Sequence, residues 1–257
     1  MKLIFIFVFI YFLVFDTMAT RNVLLLSSSK LHGFELLEFA ENEISELLNR
    51  NKVENVLFIP YALKDHDEYL KNVEKPFKKW GFNISSIHTQ EPLLAIKDAE
   101  AIFIGGGNTF RLLKTLYDLK LVEPIRKKVL QQGMPYIGAS AGSNVATASI
   151  HTTNDMPIVY PPTFEGLGLV PFNINPHYID ADPNSTHKGE TREDRIRQYQ
   201  EEDHSKTVLG IREGCMLNIK DNTLAVKGVN GGRLFEKGKE PRDVNVGSFL
   251  NFLLESS

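Results

Sequence analysis

Residues 137–143 read Ile-Gly-Ala-Ser-Ala-Gly-Ser and continue a short apolar run. Gly138, Ser140 and Gly142 match the pattern G-x-S-x-G, in which a strand turns sharply into a helix and the serine hydroxyl is exposed at the turn. A side chain at either glycine would collide with the neighbouring strand or helix, and the turn requires backbone angles that glycine adopts easily. The alternative is an ordinary Gly/Ser loop, because such pentapeptides are common.

Apolar runs and amphipathic segments alternate on both sides of this turn. Residues 23–26, 56–59 and 101–104 are apolar throughout, which predicts buried parallel strands. Leucines, alanine and isoleucine at helical spacing predict a helix over residues 34–48. Further predicted elements are helices near 68–80, 93–96, 110–119 and 122–132, and strands near 84–88 and 136–138. This alternation predicts an α/β fold with a doubly wound, mostly parallel sheet flanked by helices, and places ligands at the carboxyl ends of the strands.

The second half of the chain is less regular. Residues 152–203 contain a long stretch rich in Pro and Asn, and a segment of this length inside a compact domain is usually functional. A charged helix is predicted around 192–202. Short strands are then predicted at 208–211, 216–219, 224–226 and 233–235, which we expect to complete the sheet and to add a meander. No segment indicates a second domain, so one domain of residues 18–257 is expected.

Composition limits the partners. The 257 residues carry a formal net charge of −3 with no basic stripe, so a small molecule or peptide is a more plausible partner than nucleic acid. The one cysteine, Cys215, cannot form an internal disulfide. Residues 3–15 are apolar and suit a secretory signal with cleavage near Ala19, which would make the protein secreted. Alternatively Met18 is the start of a cytoplasmic protein; residues 1–17 are a signal-like or alternative-start extension in either case, and no membrane association is expected of the mature domain.

A glycine loop follows another predicted strand. Residues 104–109 read Ile-Gly-Gly-Gly-Asn-Thr and precede a predicted helix, so their backbone N–H groups are candidates to hold an anion. The loop is neither G-x-G-x-x-G nor a P-loop, which argues against a nucleotide. An oxyanion hole fits better, with one N–H from Ala141 after the serine and another from Gly106 or Gly107.

A serine hydroxyl needs an adjacent base, and histidine is the usual one. His177 follows an apolar run and would reach the rim of the sheet; His187 and His151 are the other candidates. The base in turn needs a carboxylate to fix its tautomer. Asp155 and Glu213, each next to a Gly or Pro turn, are the best-placed acids, and spacing alone does not choose between them.

Together these motifs resemble the dipeptidase E, or alpha-aspartyl dipeptidase, family of serine peptidases. The resemblance extends from about Val23 to the last strands and is carried by residues 105–109, 137–142, 152–158, 174–177 and 187–193. It implies a fold like the class I glutamine amidotransferases, with Ser140 as nucleophile and His177 as general base. The third member has two candidates, and we favour Glu213 as the orienting acid with Asp155 lining the pocket.

The resemblance also implies a substrate, a dipeptide that begins with a free aspartate. We expect Arg192, with Lys188 behind it, to bind the β-carboxylate, because arginine offers two parallel N–H donors. Glu190 or Asp155 would meet the α-ammonium group, and Asn108 is a further expected substrate contact. The alternative for Arg192 and Glu190 is a solvated, ion-paired helix start.

No metal or organic cofactor is expected, and either a monomer or a homodimer is compatible with the sequence. Two other functions remain open. One is a cyanophycinase-like exopeptidase that acts on an aspartyl polymer with modified side chains. The other is a non-catalytic protein of the same fold that binds a small acid.

Overall fold

The computed structural model of the chain describes residues 20–186 and 188–255. The predictions on residues 1–17, on the cleavage and start sites near residues 18 and 19, and on His187 lie outside the described residues. Within the described ranges, no helix combines the length and the apolar character that crossing a bilayer requires.

Strands and helices alternate through the first part of the chain, as expected. The strands are β1 (Asn22–Leu26), β2 (Asn55–Ile59), β3 (Asn83–Ser86), β4 (Ala101–Ile104), β5 (Tyr136–Ala139), β6 (Asn173–Pro176), β7 (Val208–Ile211), β8 (Cys215–Lys220), β9 (Thr223–Gly228), β10 (Gly232–Phe235) and β11 (Arg242–Val244). The α-helices are α1 (Glu41–Arg50), α2 (His66–Lys79), α3 (Pro92–Asp98), α4 (Thr109–Asp118), α5 (Val122–Gln132), α6 (Ala141–Ala146) and α7 (Arg192–Glu201). Short 3-10 helices cover Glu38–Ala40, Ile87–Thr89 and Asn251–Leu254.

The main sheet has seven strands in the order β3-β2-β4-β5-β1-β8-β9. The five strands from β3 to β1 are parallel, and β8 and β9 extend the sheet as antiparallel strands beside β1. Because β4 and β5 are parallel neighbours, the glycine loop after β4 and the serine turn after β5 lie at the same edge of the sheet. The α/β fold with a mostly parallel sheet is confirmed.

Successive side chains of each strand face opposite sides of the main sheet, which divides the core into two halves. Val23 and Leu25 of β1 belong to the half that includes residues of α3, α4, α5 and α6. Leu24 and Leu26 belong to the other half, with residues of α1 and α2. Helices therefore cover both faces, and the strands are apolar throughout because both of their faces are buried.

A smaller sheet was not predicted. Its four strands have the order β11-β10-β7-β6, so the predicted strands at 208–211 and 233–235 do not complete the main sheet. Only the strands at 216–219 and 224–226 do so, as β8 and β9. Leu209 and Ile211 of β7 are buried in the same core half as α4 and α5, so the smaller sheet packs on that face of the molecule.

The first helix begins later than predicted. It starts at Glu41, whereas helical spacing predicted a helix over 34–48. Leu37 has a left-handed backbone, with φ of 62°. Its N–H donates to the Ser29 carbonyl at 2.9 Å, which takes residues 34–37 out of the helix. The spacing of apolar residues correctly indicated that Leu37 is buried. Leu37 is buried by packing against other segments, however, and not as part of a helix.

Candidate active site

Ser140 lies at a sharp turn between β5 and α6. Its backbone has φ of 52° and ψ of −107°, a strained region for a residue with a side chain. A Cβ on Gly138 would lie 2.6 Å from the Gly142 carbonyl oxygen, and a Cβ on Gly142 would overlap the carbonyl oxygen of Ile104. The two glycines are therefore required by close backbone packing, as the sequence predicted for a strand-to-helix turn.

The Ser140 hydroxyl faces His177. Its Oγ is 2.8 Å from Nε2 of His177, although the two residues are 37 positions apart in the chain. His177 directly follows β6 of the smaller sheet and also has a left-handed backbone, with φ of 52°. A serine hydroxyl at the end of a main-sheet strand and an imidazole at the end of a smaller-sheet strand thus lie within hydrogen-bond distance.

The carboxylate that contacts His177 is that of Glu213. Its Oε1 is 2.8 Å from Nδ1 of His177. A carboxylate that only accepts hydrogen bonds is matched by the His177 tautomer with its proton on Nδ1, and in that tautomer Nε2 accepts the Ser140 hydroxyl. Two successive hydrogen bonds therefore connect Ser140, His177 and Glu213. In the sequence these residues follow the order serine, histidine, acid.

Asp155 has different partners. Its Oδ2 accepts the backbone N–H of Thr109 at 2.7 Å, and the Thr153 hydroxyl donates to the same oxygen at 3.3 Å. Thr109 is the first residue of α4, so this carboxylate lies at the positive end of a helix dipole. The structure thus brings Glu213 to the imidazole, and it joins Asp155 to the helix that follows the glycine loop.

The glycine loop lies beside Ser140. A Cβ on Gly106 would be 3.1 Å from Cβ of Ser140, so the backbone of Gly106 lies against the serine. The Tyr69 hydroxyl holds this loop by donating to the Gly106 carbonyl at 3.1 Å. Burial raises the pKa of Tyr69 far above its ordinary value, which keeps the phenol protonated as a donor. Gly107 is the next residue of the loop, and Ala141 is the first residue of α6, directly after Ser140.

The other residues predicted to contact substrate are Asn108, Glu190 and Arg192. The side chains of Asn108 and Glu190 already form hydrogen bonds within the protein. Asn108 caps α4 by accepting the N–H of Arg111 at 3.0 Å, and its amide donates to the Met156 carbonyl at 2.9 Å. Glu190 accepts a hydrogen bond from Gln198 at 2.7 Å. Arg192 begins α7 and is half-buried, and desolvation by burial lowers its pKa, with a further contribution from neighbouring Arg195.

Ser140, His177 and Glu213 open onto a cleft of about 850 Å³. Gly106 and Gly107 form part of its wall near the serine. Among the described residues, Asn108, Asp155, Glu190 and Arg192 are not part of its lining. The cleft is large enough for a peptide, since pockets for small ligands are usually about 300–1,000 Å³.

Comparison with known proteins decides the family. The sequence model of Peptidase family S51 matches residues 23–227, which include the serine turn, the histidine and the acid. The chain belongs to peptidase family S51. It is accordingly a peptidase, a hydrolase of peptide bonds.

Two relatives and a solved structure are similar to this S51 chain over nearly its whole length. A Drosophila melanogaster protein named "Probable alpha-aspartyl dipeptidase" is 49% identical over 238 residues, which cover 92% of this chain and 99% of the relative. A Streptomyces coelicolor protein named "Peptidase E" is 48% identical over 235 residues, covering 91% of this chain and 95% of the relative. The crystal structure of a peptidase from an acI-B1 actinobacterium has a TM-score of 0.67 at 19% identity, over 91% of this chain and 97% of that one, which supports the fold.

Sequence reasoning missed the groups that link the segments carrying His177 and Glu213 in this S51 chain. Arg212, next to Glu213, donates two hydrogen bonds of 2.7 Å to Asp180, three residues after His177. These hydrogen bonds hold the pKa of Asp180 below its ordinary value. The pair therefore links the segment that carries the imidazole to the segment that carries its carboxylate. The only sequence signal was one Arg and one Asp among many, so spacing gave no reason to select them.

Ser27 is a second anchor of the imidazole that the sequence did not single out. Its hydroxyl accepts the backbone N–H of His177 at 2.9 Å and donates to the Ile211 carbonyl at 2.8 Å. Ser27 is fully buried at the end of β1. One hydroxyl therefore joins the end of β1 in the main sheet to β7 and to the residue that follows β6 in the smaller sheet.

We expect Ser27→Ala to lower the free energy of unfolding by about 1–3 kcal/mol, because it leaves the partly buried N–H of His177 without its acceptor, whereas the Ile211 carbonyl keeps the N–H of Tyr178 at 3.0 Å. Ser28→Ala is the matched control. Ser28 is equally buried, but its hydroxyl has no hydrogen-bond partner among the residues that the structure describes. Urea unfolding followed by circular dichroism measures both variants. Equal loss of stability in the two would contradict the role of the Ser27 hydroxyl.

Proposed function

We propose that this chain is a serine exopeptidase that hydrolyses dipeptides with a free N-terminal aspartate, Asp-X, through an acyl-enzyme on Ser140. The observation that carries the proposal is the chain of two 2.8 Å hydrogen bonds from the Ser140 hydroxyl through His177 to Glu213. A nucleophile, a base and an acid that orients the base are the parts that acyl transfer requires. The name of the Drosophila melanogaster relative, "Probable alpha-aspartyl dipeptidase", supports the substrate class.

In the first half of the reaction, Nε2 of His177 takes the proton of Ser140 while Oγ forms a bond to the carbonyl carbon of the aspartyl residue. Negative charge develops on the carbonyl oxygen, and the amides of Ala141 and of Gly106 or Gly107 stabilise it. The C–N bond then breaks, and the imidazolium gives its proton to the leaving amine. The products of this half are residue X and an aspartyl ester on Ser140.

In the second half, water attacks the ester. His177 takes a proton from the water, the new C–O bond forms, and the bond to Ser140 breaks as the proton returns to Oγ. Glu213 stays ionised throughout and stabilises the positive charge that forms on His177. Free aspartate leaves and the hydroxyl of Ser140 is restored.

We further propose that Arg192 binds the β-carboxylate of the substrate, with Glu190 or Asp155 near the α-ammonium group and Asn108 as an additional contact. Arg192 is half-buried and has no hydrogen-bond or ion-pair partner in the described part of the chain, so its guanidinium is available to a ligand. Because none of these residues lines the cleft, this assignment requires segment 188–192 to approach the bound substrate.

The proposed compartment is the cytoplasm, or the exterior if residues 1–19 act as a signal peptide.

A substrate panel tests the proposal. We expect kcat/KM for Asp-Leu to exceed that for Glu-Leu, Asn-Leu and N-acetyl-Asp-Leu by at least about a hundredfold, because a site built to bind a carboxylate and an ammonium group rejects analogues that leave its polar groups unpaired. Chromatographic measurement of released leucine provides the rates. Equal turnover of the acetylated peptide would overturn the ammonium contact. Faster cleavage of an aspartyl polymer with modified side chains would favour the cyanophycinase-like alternative.

A further inference from the structure

The cleft extends well beyond the reacting groups. Its catalytic end is marked by Tyr69 of α2, whose hydroxyl contacts Gly106 beside Ser140. Its lining continues along the same helix to Trp80. With a rise of 1.5 Å per residue, these eleven helical steps cover about 16 Å. An extended peptide advances about 3.3 Å per residue, so the groove has room for about five residues, where a dipeptide needs room for two.

The α2 wall of this groove is basic. Lys75 and Lys79 line the cleft, are exposed, and have no carboxylate partner within the described ranges. Lys78, on the same helix but outside the lining, is paired with Glu74 at 2.8 Å. The free ammonium groups therefore face the groove, in a chain whose formal net charge is −3. Elsewhere in the lining, the Glu38 carboxylate accepts the N–H of Glu35 at 2.8 Å, and the exposed side chains of Lys30 and Glu35 carry opposite charges.

The same wall offers a backbone acceptor. Pro76 lies inside α2 and has no N–H, so the carbonyl of Asn72 lacks the donor that a regular helix would supply. Both residues line the cleft, and the Asn72 side chain is exposed there. Leu36, Leu63 and Trp80 add apolar surface. A groove with apolar walls, a carbonyl that lacks its helical donor and an exposed amide side chain matches what an extended peptide backbone requires.

We propose that this groove binds the residues that follow the scissile bond, so that peptides of four to six residues beginning with aspartate are substrates. Lys75 and Lys79 receive a carboxylate three to five residues beyond that aspartate, since they lie about 9 and 15 Å from Tyr69 along the helix. The proposal rests on the proposed function. A substrate that is cleaved after a free N-terminal aspartate has no residue before that aspartate, so the groove can hold only the residues that follow the scissile bond.

Two measurements test the groove, one of binding without turnover and one of hydrolysis. Titration calorimetry on Ser140→Ala compares binding of Asp-Ala-Ala-Ala-Glu with the neutral, amidated Asp-Ala-Ala-Ala-Ala. Hydrolysis by the wild-type protein compares the same two peptides with Asp-Ala. We expect the acidic peptide to bind about fivefold tighter and to have a correspondingly lower KM, as two partly exposed ion pairs provide. Added salt should reduce the difference.

Adding Lys75→Gln with Lys79→Gln should abolish the preference for the acidic pentapeptide. Lys71→Gln is the matched control, since Lys71 is exposed on α2 but does not line the cleft. Equal Kd values for the two pentapeptides, or a preference that survives the double substitution, would overturn the groove whatever the rate on Asp-Ala. Absence of Asp-Ala hydrolysis by the wild-type protein would instead overturn the proposed function, whatever the binding result.

Discussion

Replacing Ser140 with alanine is expected to lower kcat on Asp-Leu by about 10⁴-fold or more. The substitution removes the only atom that can form the acyl-enzyme in the proposed mechanism, and loss of the nucleophile in other serine hydrolases has an effect of about 10⁶. The fold should be preserved, since Cβ is retained and the Ser140 N–H still donates to the Leu26 carbonyl at 3.0 Å. Release of leucine, with protein concentration set by quantitative analysis, provides the rate.

The control for this variant is Ser45→Ala. Ser45 lies on α1, far along the chain from the cleft, and is not part of its lining. It should retain wild-type kcat and KM, and both variants should show the wild-type melting transition. A Ser140→Ala protein that keeps more than about one per cent of kcat would reject the acyl-enzyme route. Covalent labelling by a fluorophosphonate should likewise disappear in Ser140→Ala; labelling absent from the wild type as well would favour a non-catalytic binding protein.

The second large effect is expected from Glu213. Glu213→Gln should lower kcat by about 10²–10³-fold, because an amide does not stabilise the imidazolium and no longer fixes the tautomer of His177. The effect should stay below the roughly 10⁴-fold seen when a buried triad aspartate becomes asparagine. The Glu213 side chain is 53% exposed, so water also stabilises the positive charge on the imidazolium.

Asp155→Asn is the matched comparison. The amide oxygen of asparagine can still accept the Thr109 N–H, so we expect kcat to stay within about tenfold of wild type. Steady-state kinetics on Asp-Leu for both variants decide between the two acids. A loss in Asp155→Asn larger than that in Glu213→Gln would transfer the orienting role to Asp155.

Local sequence patterns were sufficient to predict the strands and the turn that position Ser140. Apolar runs located β1, β2, β4 and β5, since strands buried on both faces have no polar alternation to obscure them. The glycines around Ser140 were predictable because backbone collisions depend on the immediate turn. The position of His177 after a strand followed from the apolar run before it.

Contacts between distant segments could not be predicted in the same way. Asp155 and Glu213 are both acids beside turns, and only the pairing of β6 with β7 brings one of them next to the imidazole. The smaller sheet itself was missed because short strands carry no sign of which sheet they join. The helix predicted over 34–48 was shortened by a hydrogen bond from Leu37 to Ser29, which no helical pattern encodes. For Arg192 and Glu190 the predicted roles stay predictions.

The placement of the reacting groups on two sheets has a consequence during synthesis. Ser140 leaves the ribosome 37 residues before His177 and 73 residues before Glu213. In the proposed mechanism this hydroxyl gains its base only when β6 and β7 are in place beside Ser27, at the end of β1. A chain that lacks the smaller sheet therefore also lacks the histidine and the acid that the proposed mechanism requires.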